Sequence, residues 1–218
     1  MRGYLDVMCH TIARQRARWL AVSVGFVVLY YVGLLALTML RFGEIPNYVV
    51  FHDVFGAYKL IFDGTPALSD ALAILVDEPW FETGYKNPYY YGIATWSYML
   101  IPPKMLLVFL TSTLIATVAV LVTKSKEVAC PTSSARAYAT AGIGTALVGL
   151  TSATLTWVVC CATPSWVVPL AMLGMGVSLA LWLEPAGMIL TLLGLALFVG
   201  IIVQQLRDLA AASHVLAP

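Results

Sequence analysis

Residues 138–183 read YATAGIGTALVGLTSATLTWVVCCATPSWVVPLAMLGMGVSLALWL and contain no Asp, Glu, Lys or Arg. At about 1.5 Å per helical residue, this length would cross a hydrocarbon core of roughly 30 Å twice. The stretch is punctuated near its middle by the segment Cys160-Cys161-Ala162-Thr163-Pro164, where the proline favours a bend. The sequence therefore predicts a membrane hairpin with the cysteine pair near its bend.

The composition of the whole chain also indicates a membrane protein. Of the 218 residues, 61% are hydrophobic and 11% are charged, and the mean hydropathy is +0.88. Soluble domains usually carry about 25% charged residues, so we expect the lipid bilayer to surround most of this chain. Because a net charge of +1 leaves no concentrated basic face, we expect no nucleic-acid partner.

The order of apolar runs and charges predicts an all-α fold, a polytopic transmembrane helical bundle with about five spans. Arginines before the first apolar run favour a cytoplasmic N-terminus in a bacterial inner membrane, and five crossings would leave the C-terminus outside. The predicted order is a basic cytoplasmic leader (1–18), transmembrane helix 1 (19–40), an extracytoplasmic aromatic-rich segment (41–104), transmembrane helix 2 (105–123), a cytoplasmic loop (124–137), a three-helix membrane unit containing Cys160 and Cys161 (138–206), and a tail (207–218).

The long connection between the first two spans is too apolar for a flexible linker. From Val49 to Phe62, apolar residues recur at three- and four-residue spacing with polar residues between them. A second short apolar segment follows at 68–75. We therefore expect amphipathic helices at the membrane surface within residues 42–104.

Aromatic residues are concentrated in the second half of this connection. Tyr and Trp favour the headgroup region, where the ring is apolar and its polar tip can form a hydrogen bond. The same residue types are also frequent in protein interfaces. Contact with lipid and contact with a partner protein are thus both open for Trp80, Tyr89, Tyr90, Tyr91, Trp96 and Tyr98.

The sequence contains no pattern that favours catalysis. The predicted spans carry no charge in their middle, where proton relays and intramembrane enzymes keep ionisable residues. The three histidines, His10, His52 and His214, all lie outside the predicted spans, and no phosphate-binding glycine loop, Gly-x-Ser-x-Gly or Cys-x-x-Cys motif is present. We therefore expect a non-catalytic protein.

The adjacent cysteines Cys160 and Cys161 are the chemically distinctive feature of the chain. Two thiolates near a helix end could bind a soft metal ion such as Hg(II) or Cu(I). Cysteine also occurs as a small buried apolar residue in packed helices. Metal binding and simple packing are therefore alternative interpretations of the pair.

The segment around these cysteines resembles a known family. The order Thr151-Ser152-Ala153, Cys160-Cys161-Ala162-Thr163-Pro164, Leu173-Gly174 and Leu183-Glu184-Pro185 is similar to the first helical hairpin of mercuric-ion transport proteins of the MerT type, over residues 142–207. The resemblance implies that Cys160 and Cys161 take a metal ion from the periplasmic side. The family's second cysteine pair has no counterpart after Leu183.

Two hypotheses follow from these observations. The first is an accessory, non-catalytic membrane subunit that packs against other subunits of a larger complex of the respiratory, photosynthetic or monooxygenase type. The second is a soft-metal binding or transport protein that uses Cys160 and Cys161.

Overall fold

A computed structural model describes residues 2–89, 94–128, 132–153, 155–157 and 182–215. Most of these residues are helical, because long apolar runs without proline satisfy their backbone hydrogen bonds internally. The helices are α1 (Arg2–Arg14), α2 (Arg16–Phe42), α3 (Val54–Gly64), α4 (Leu68–Leu75), α5 (Pro102–Val128), α6 (Thr132–Thr151) and α7 (Gly187–Val215), with a 3-10 turn at Glu184–Ala186.

Three of the described helices are long and apolar enough to cross a membrane. They cover Arg16–Phe42, Pro102–Lys124 and Gly187–Leu209. They contain the predicted first, second and fifth spans. The membrane character of the chain is thereby supported, whereas a total of five spans is not confirmed, because most of the predicted fourth span lies outside the described residues.

The predicted third span is shorter than expected. Helix α6 ends at Thr151, and its apolar part, Ala139–Thr151, is shorter than the other three spans. Instead of continuing the helix to Cys161, Leu155–Trp157 form a strand. Threonine and tryptophan favour extended backbone, and a neighbouring strand supplies the hydrogen-bond partners. Cys160 and Cys161 lie outside the described residues.

The chain is not all-α, since it also contains a four-stranded antiparallel sheet. The strands follow in the order β1-β2-β3-β4. In the sequences of β2 and β3, aromatic residues alternate with other residues at a period of two. The prediction of an interfacial aromatic segment did not take this alternation into account. The strands are β1 (Tyr48–Phe51), β2 (Phe81–Lys86), β3 (Ala94–Leu100) and β4 (Leu155–Trp157).

Helices α3 and α4 form in the segment where sequence periodicity predicted them. Asp53 caps α3, because its carboxylate accepts a hydrogen bond from the Gly56 amide at 3.0 Å. Both helices lie in the connection between β1 and β2. Their position at a membrane surface remains a prediction.

The chain divides into two compact units. We call Met1–Tyr30, Val108–Gly149 and Met188–Pro218 the helical unit, and Tyr31–Leu107 and Leu150–Gly187 the sheet unit.

In the helical unit, α2 and α5 run antiparallel and are joined by polar side chains. The Trp19 indole nitrogen donates to the Thr117 hydroxyl at 3.1 Å, and the hydroxyls of Ser23 and Ser112 lie 3.0 Å apart. Hydrogen bonds between neighbouring helices of this kind stabilise packing in lipid, where apolar association contributes little.

Helices α6 and α7 approach each other closely at two glycines. A Cβ atom at Gly144 would lie 3.1 Å from the Gly194 carbonyl oxygen, and one at Gly194 would lie 2.7 Å from Val148 Cγ2. Further along, Ala141 and Ile201 share one apolar cluster. Residue numbers thus rise along α7 as they fall along α6, so the two helices are antiparallel.

This direction places the end of α7 beside the end of α5 and the start of α2. The apolar cluster joins Val118 and Val122, near the end of α5, to Phe198 and Ile201 of α7. The C-terminal end of α7 and the N-terminal end of α2 therefore share one end of the helical unit. This corrects the expectation that the two chain termini lie on opposite sides, which followed from counting five full spans.

Candidate functional site

Glu82, on β2, is the centre of a small polar cluster in the sheet unit. Its carboxylate accepts a hydrogen bond from the Tyr48 hydroxyl at 2.6 Å, and its second oxygen lies 3.4 Å from His52 Nε2. The Lys86 ammonium lies 4.3 Å from the centre of the Tyr48 ring. Burial, together with the hydrogen bond to Glu82 and its negative charge, raises the pKa of Tyr48.

This cluster connects strands of the sheet. His52 Nε2 is within ion-pair distance of Glu82 but makes no hydrogen bond. Over the described ranges, no three His, Cys, Asp or Glu residues are grouped so that they could hold a metal ion. The chemical role of the cluster is to join β1, and the residue after it, to β2.

Two of the aromatic residues selected from the sequence do not lie on an outer surface. Trp96 and Tyr98 are only 1% and 4% exposed, because they point from β3 onto one side of α2. The Trp96 ring stacks on Phe42 with 6.2 Å between ring centres, and the Tyr98 hydroxyl lies 3.4 Å from the Tyr31 carbonyl oxygen. The expectation of partner or lipid contact is therefore corrected for Trp96 and Tyr98.

The other selected residues are exposed or lie outside the described part of the chain. Tyr89 is 90% exposed, and Trp80 is about half exposed. Tyr90 and Tyr91, like the two cysteines, lie outside the described residues. The structure brings Trp96 and Tyr98 together in one core, and Trp80 and Tyr89 are not part of that core.

The last three turns of α2 form the central helix of the sheet unit. We call residues 31–42 the α2 arm. One side of the arm packs against β2 and β3, because its apolar residues recur every three or four positions and match the apolar side of the sheet. The packed residues are Tyr31, Leu34, Leu35, Met39 and Phe42.

The opposite side of the α2 arm is apolar and exposed. Val32 and Leu37 are each 60% exposed, and Leu40 is 80% exposed. Ala36 is also exposed, and a Cβ atom placed on Gly33 would meet nothing within 4 Å. We call these five residues the arm face.

A charged pair lies at the start of α5. Strand β3 runs along the arm from Phe42 to Tyr31, and α5 begins two residues after β3 ends. Lys104, in the first turn of α5, forms an ion pair with Asp77 at 2.8 Å. A charge pair of this kind is more stable in water or among headgroups than in the hydrocarbon core.

The arm face belongs to the candidate membrane span Arg16–Phe42, and its apolar side chains are exposed on the side turned away from the sheet. The arm face is the candidate functional site.

Sequence reasoning missed the arm face. Hydropathy assigns residues 19–40 to one span and does not distinguish lipid from protein as the neighbour of an apolar residue.

A comparison with protein-family models, with curated proteins and with solved structures found no match.

Proposed function

We propose that this protein is a non-catalytic integral membrane subunit that packs against a larger membrane complex of the respiratory, photosynthetic or monooxygenase type. The observation that supports the proposal is the arm face, an apolar helix surface that is exposed over the described part of the chain. Exposed apolar surface of this kind is typical of interaction sites.

Helices α3 and α4 support the same proposal. Both turn large apolar side chains outward although neither is long enough to span a membrane. The most exposed of these side chains are Phe55, Leu60, Phe62, Leu68 and Leu72.

The charge distribution supports a bacterial inner-membrane location with a cytoplasmic N-terminus. Basic residues gather at the end of the helical unit where α2 starts and where α5 and α7 end, and such a bias favours the cytoplasm. These residues are Arg14, Arg16, Arg18, Lys124, Lys126, Arg136 and Arg207.

The test is purification of the tagged protein from its native membrane in a mild detergent, with mass spectrometry of accompanying proteins. We expect membrane subunits in a constant ratio to this chain. Leu40→Gln should lower that ratio while leaving the thermal unfolding of the purified chain unchanged, because Leu40 is mostly exposed.

The same preparation separates this proposal from the metal-carrier hypothesis. A chain that purifies alone, carrying about one soft metal ion that is lost when Cys160 and Cys161 are both replaced by Ser, would contradict the subunit function. Membrane subunits that co-purify in a constant ratio, whether or not metal is bound, would support the subunit function.

A further inference from the structure

We infer that the end of the helical unit where α2 starts binds the headgroup of an anionic phospholipid through exposed arginines. This inference goes beyond the proposed function and does not depend on it, because it concerns lipid and not a partner protein. The cations at this end all belong to the helical unit. We call them the basic end: Arg14, Arg16, Arg18, Lys124 and Arg207.

Contacts between helices bring these five cations to one end of the unit. The Trp19 indole donates to the Thr117 hydroxyl, so the residues before Trp19 lie beside the residues after Thr117, where α5 reaches Lys124. The apolar cluster that joins the end of α5 to α7 brings Arg207 to the same end. Each candidate span therefore carries a cation at or near its limit here. The spans are Arg16–Phe42, Pro102–Lys124 and Gly187–Leu209.

Arg14 and Arg18 lie on the same side of the first helices. The Gln15 amide donates to the Thr11 carbonyl oxygen at 3.2 Å, and the Trp19 amide donates to the Gln15 carbonyl oxygen at 3.0 Å. Helical hydrogen bonding thus continues across the short break between α1 and α2. Side chains four positions apart are neighbours on a helix, so Arg14 and Arg18 form a pair.

The arginines of the basic end are exposed and lack an acidic partner. Within the residues that the structure describes, no ion pair includes Arg14, Arg16, Arg18 or Arg207, although Asp208 follows Arg207 in the chain. A guanidinium group presents parallel N–H donors that match two oxygens of a phosphate. These groups can therefore bind a phosphate from outside the chain.

The position of the basic end selects a phospholipid as the source of that phosphate. The cations lie where three candidate spans begin or end, and lipid phosphates lie at this depth of a bilayer. A zwitterionic headgroup also carries an ammonium group, which the same cations repel. An anionic headgroup, such as that of phosphatidylglycerol, has no such charge and is favoured.

Lipid addition to the purified, delipidated protein in dodecyl maltoside tests the inference. Dioleoyl phosphatidylglycerol should raise the unfolding temperature and stay bound in native mass spectrometry, and dioleoyl phosphatidylcholine should do neither. Equal effects of the two lipids would overturn the preference for an anionic headgroup. Inorganic phosphate that stabilises the protein as well as phosphatidylglycerol does would overturn the assignment to lipid.

Replacing both Arg14 and Arg18 by Gln tests the residues. We expect the affinity for dioleoyl phosphatidylglycerol to fall about thirtyfold, since a basic residue near headgroups contributes about 1 kcal/mol, or about fivefold. The matched control is Arg41→Gln, which removes an exposed arginine at the other end of α2 and should leave the affinity unchanged. A double variant that binds as well as Arg41→Gln does would overturn the inference.

Replacing Arg14 and Arg18 by Lys provides a second test if the glutamine variant fails to insert or fold. Lysine keeps the positive charges that orient the first helix but lacks the planar guanidinium group. We expect a smaller loss of affinity for dioleoyl phosphatidylglycerol than with Gln. Affinity equal to that of the unmodified protein would overturn binding through the guanidinium groups.

Discussion

Glu82 illustrates how single side chains hold the sheet unit together. Its two carboxylate oxygens face Tyr48 and His52, which lie at the start of β1 and just after it. The Thr83 hydroxyl also donates to the Tyr48 carbonyl oxygen at 2.9 Å. Since β1 is an edge strand held by β2 alone, these side-chain bonds strengthen an otherwise one-sided attachment.

The raised pKa of Tyr48 predicts a loss of stability at alkaline pH. The folded protein keeps the phenol proton above the ordinary pKa of 10, whereas the unfolded chain releases it, so the free energy of unfolding falls as the pH rises above about 10. Tyr48→Phe should make this fall less steep. The slope should change by at most about 1.4 kcal/mol per pH unit, and solvent screening of the partly exposed Tyr48 makes the change smaller than this limit.

The measurement is thermal unfolding in detergent between pH 8 and 11.5. Tyr98 keeps a raised pKa in both proteins, because burial raises it, and its contribution therefore cancels. The control is Tyr89→Phe, which changes a fully exposed side chain. Equal slopes for the unmodified protein and Tyr48→Phe would rule out a role for the Tyr48–Glu82 bond.

Gly84 is required by the close approach of β2 and β3. A Cβ atom on this residue would overlap the Trp96 carbonyl oxygen and lie 2.8 Å from Ser97 Cα and 3.0 Å from the Tyr48 hydroxyl. We expect Gly84→Ala to lower the free energy of unfolding by about 1–3 kcal/mol, because the two nearest contacting atoms belong to the backbone of β3 and cannot easily move away.

Chemical denaturation of the purified protein measures this change. Gly64→Ala is the control, since Gly64 has nothing within 4 Å of an added Cβ and lies in a helix, where alanine is favoured. A Gly84→Ala variant as stable as Gly64→Ala would show that the sheet tolerates a wider spacing here.

The two halves of α2 contact different elements. Its first half joins α5 through polar pairs, and its last three turns pack on the sheet along one side only. The other side is apolar throughout, which explains why hydropathy assigns the entire helix to the membrane. Contacts with neighbouring elements, and not the composition of α2, show which of its sides is packed.

Helices α6 and α7 depend on glycine for their contact. Because a Cβ on Gly194 would lie 2.7 Å from Val148 Cγ2, and Val148 is fully buried, we expect Gly194→Ala to force the helices apart. The expected loss is about 1–3 kcal/mol of unfolding free energy.

Unfolding in increasing SDS, followed by circular dichroism, measures the effect on α6 and α7. Gly142→Ala changes the partner helix α6 at a position with open space and should be neutral or slightly stabilising. If both variants unfold at the same SDS fraction, the two backbones are not in close contact.

At the scale of the whole molecule, the antiparallel pair α6 and α7 determines where the chain ends. The end of α7 shares one end of the helical unit with the start of α2 and the end of α5. The basic residues near these helix ends favour the cytoplasmic side of a membrane. We therefore predict that these two helix ends face the same side of the membrane.

Reporter fusions test this arrangement. Green fluorescent protein fused after Pro218 should fluoresce, and alkaline phosphatase at the same site should be inactive, because the basic residues at this end of the helical unit favour the cytoplasm. Phosphatase inserted between α3 and α4, at residues 65–67, should be active. An active C-terminal phosphatase would instead restore the odd number of crossings expected from the sequence.

The sequence by itself determined that the chain is a helical membrane protein and approximately where α2, α5 and α7 lie. It also determined α3 and α4, through apolar residues at three- and four-residue spacing. These features depend on local composition and periodicity, since about 20 consecutive apolar residues are enough to define a span.

Only the tertiary structure decided the sheet, the burial of Trp96, the early end of α6 and the direction of α7. Strand β4 pairs Trp157 with Trp96, residues that are far apart in the chain, and no local pattern distinguishes this strand from a continuing apolar helix. The arm face is likewise set by which side of α2 meets the sheet. An apolar residue satisfies the same sequence pattern whether lipid, its own chain or a partner covers it, and only packing decides among the three.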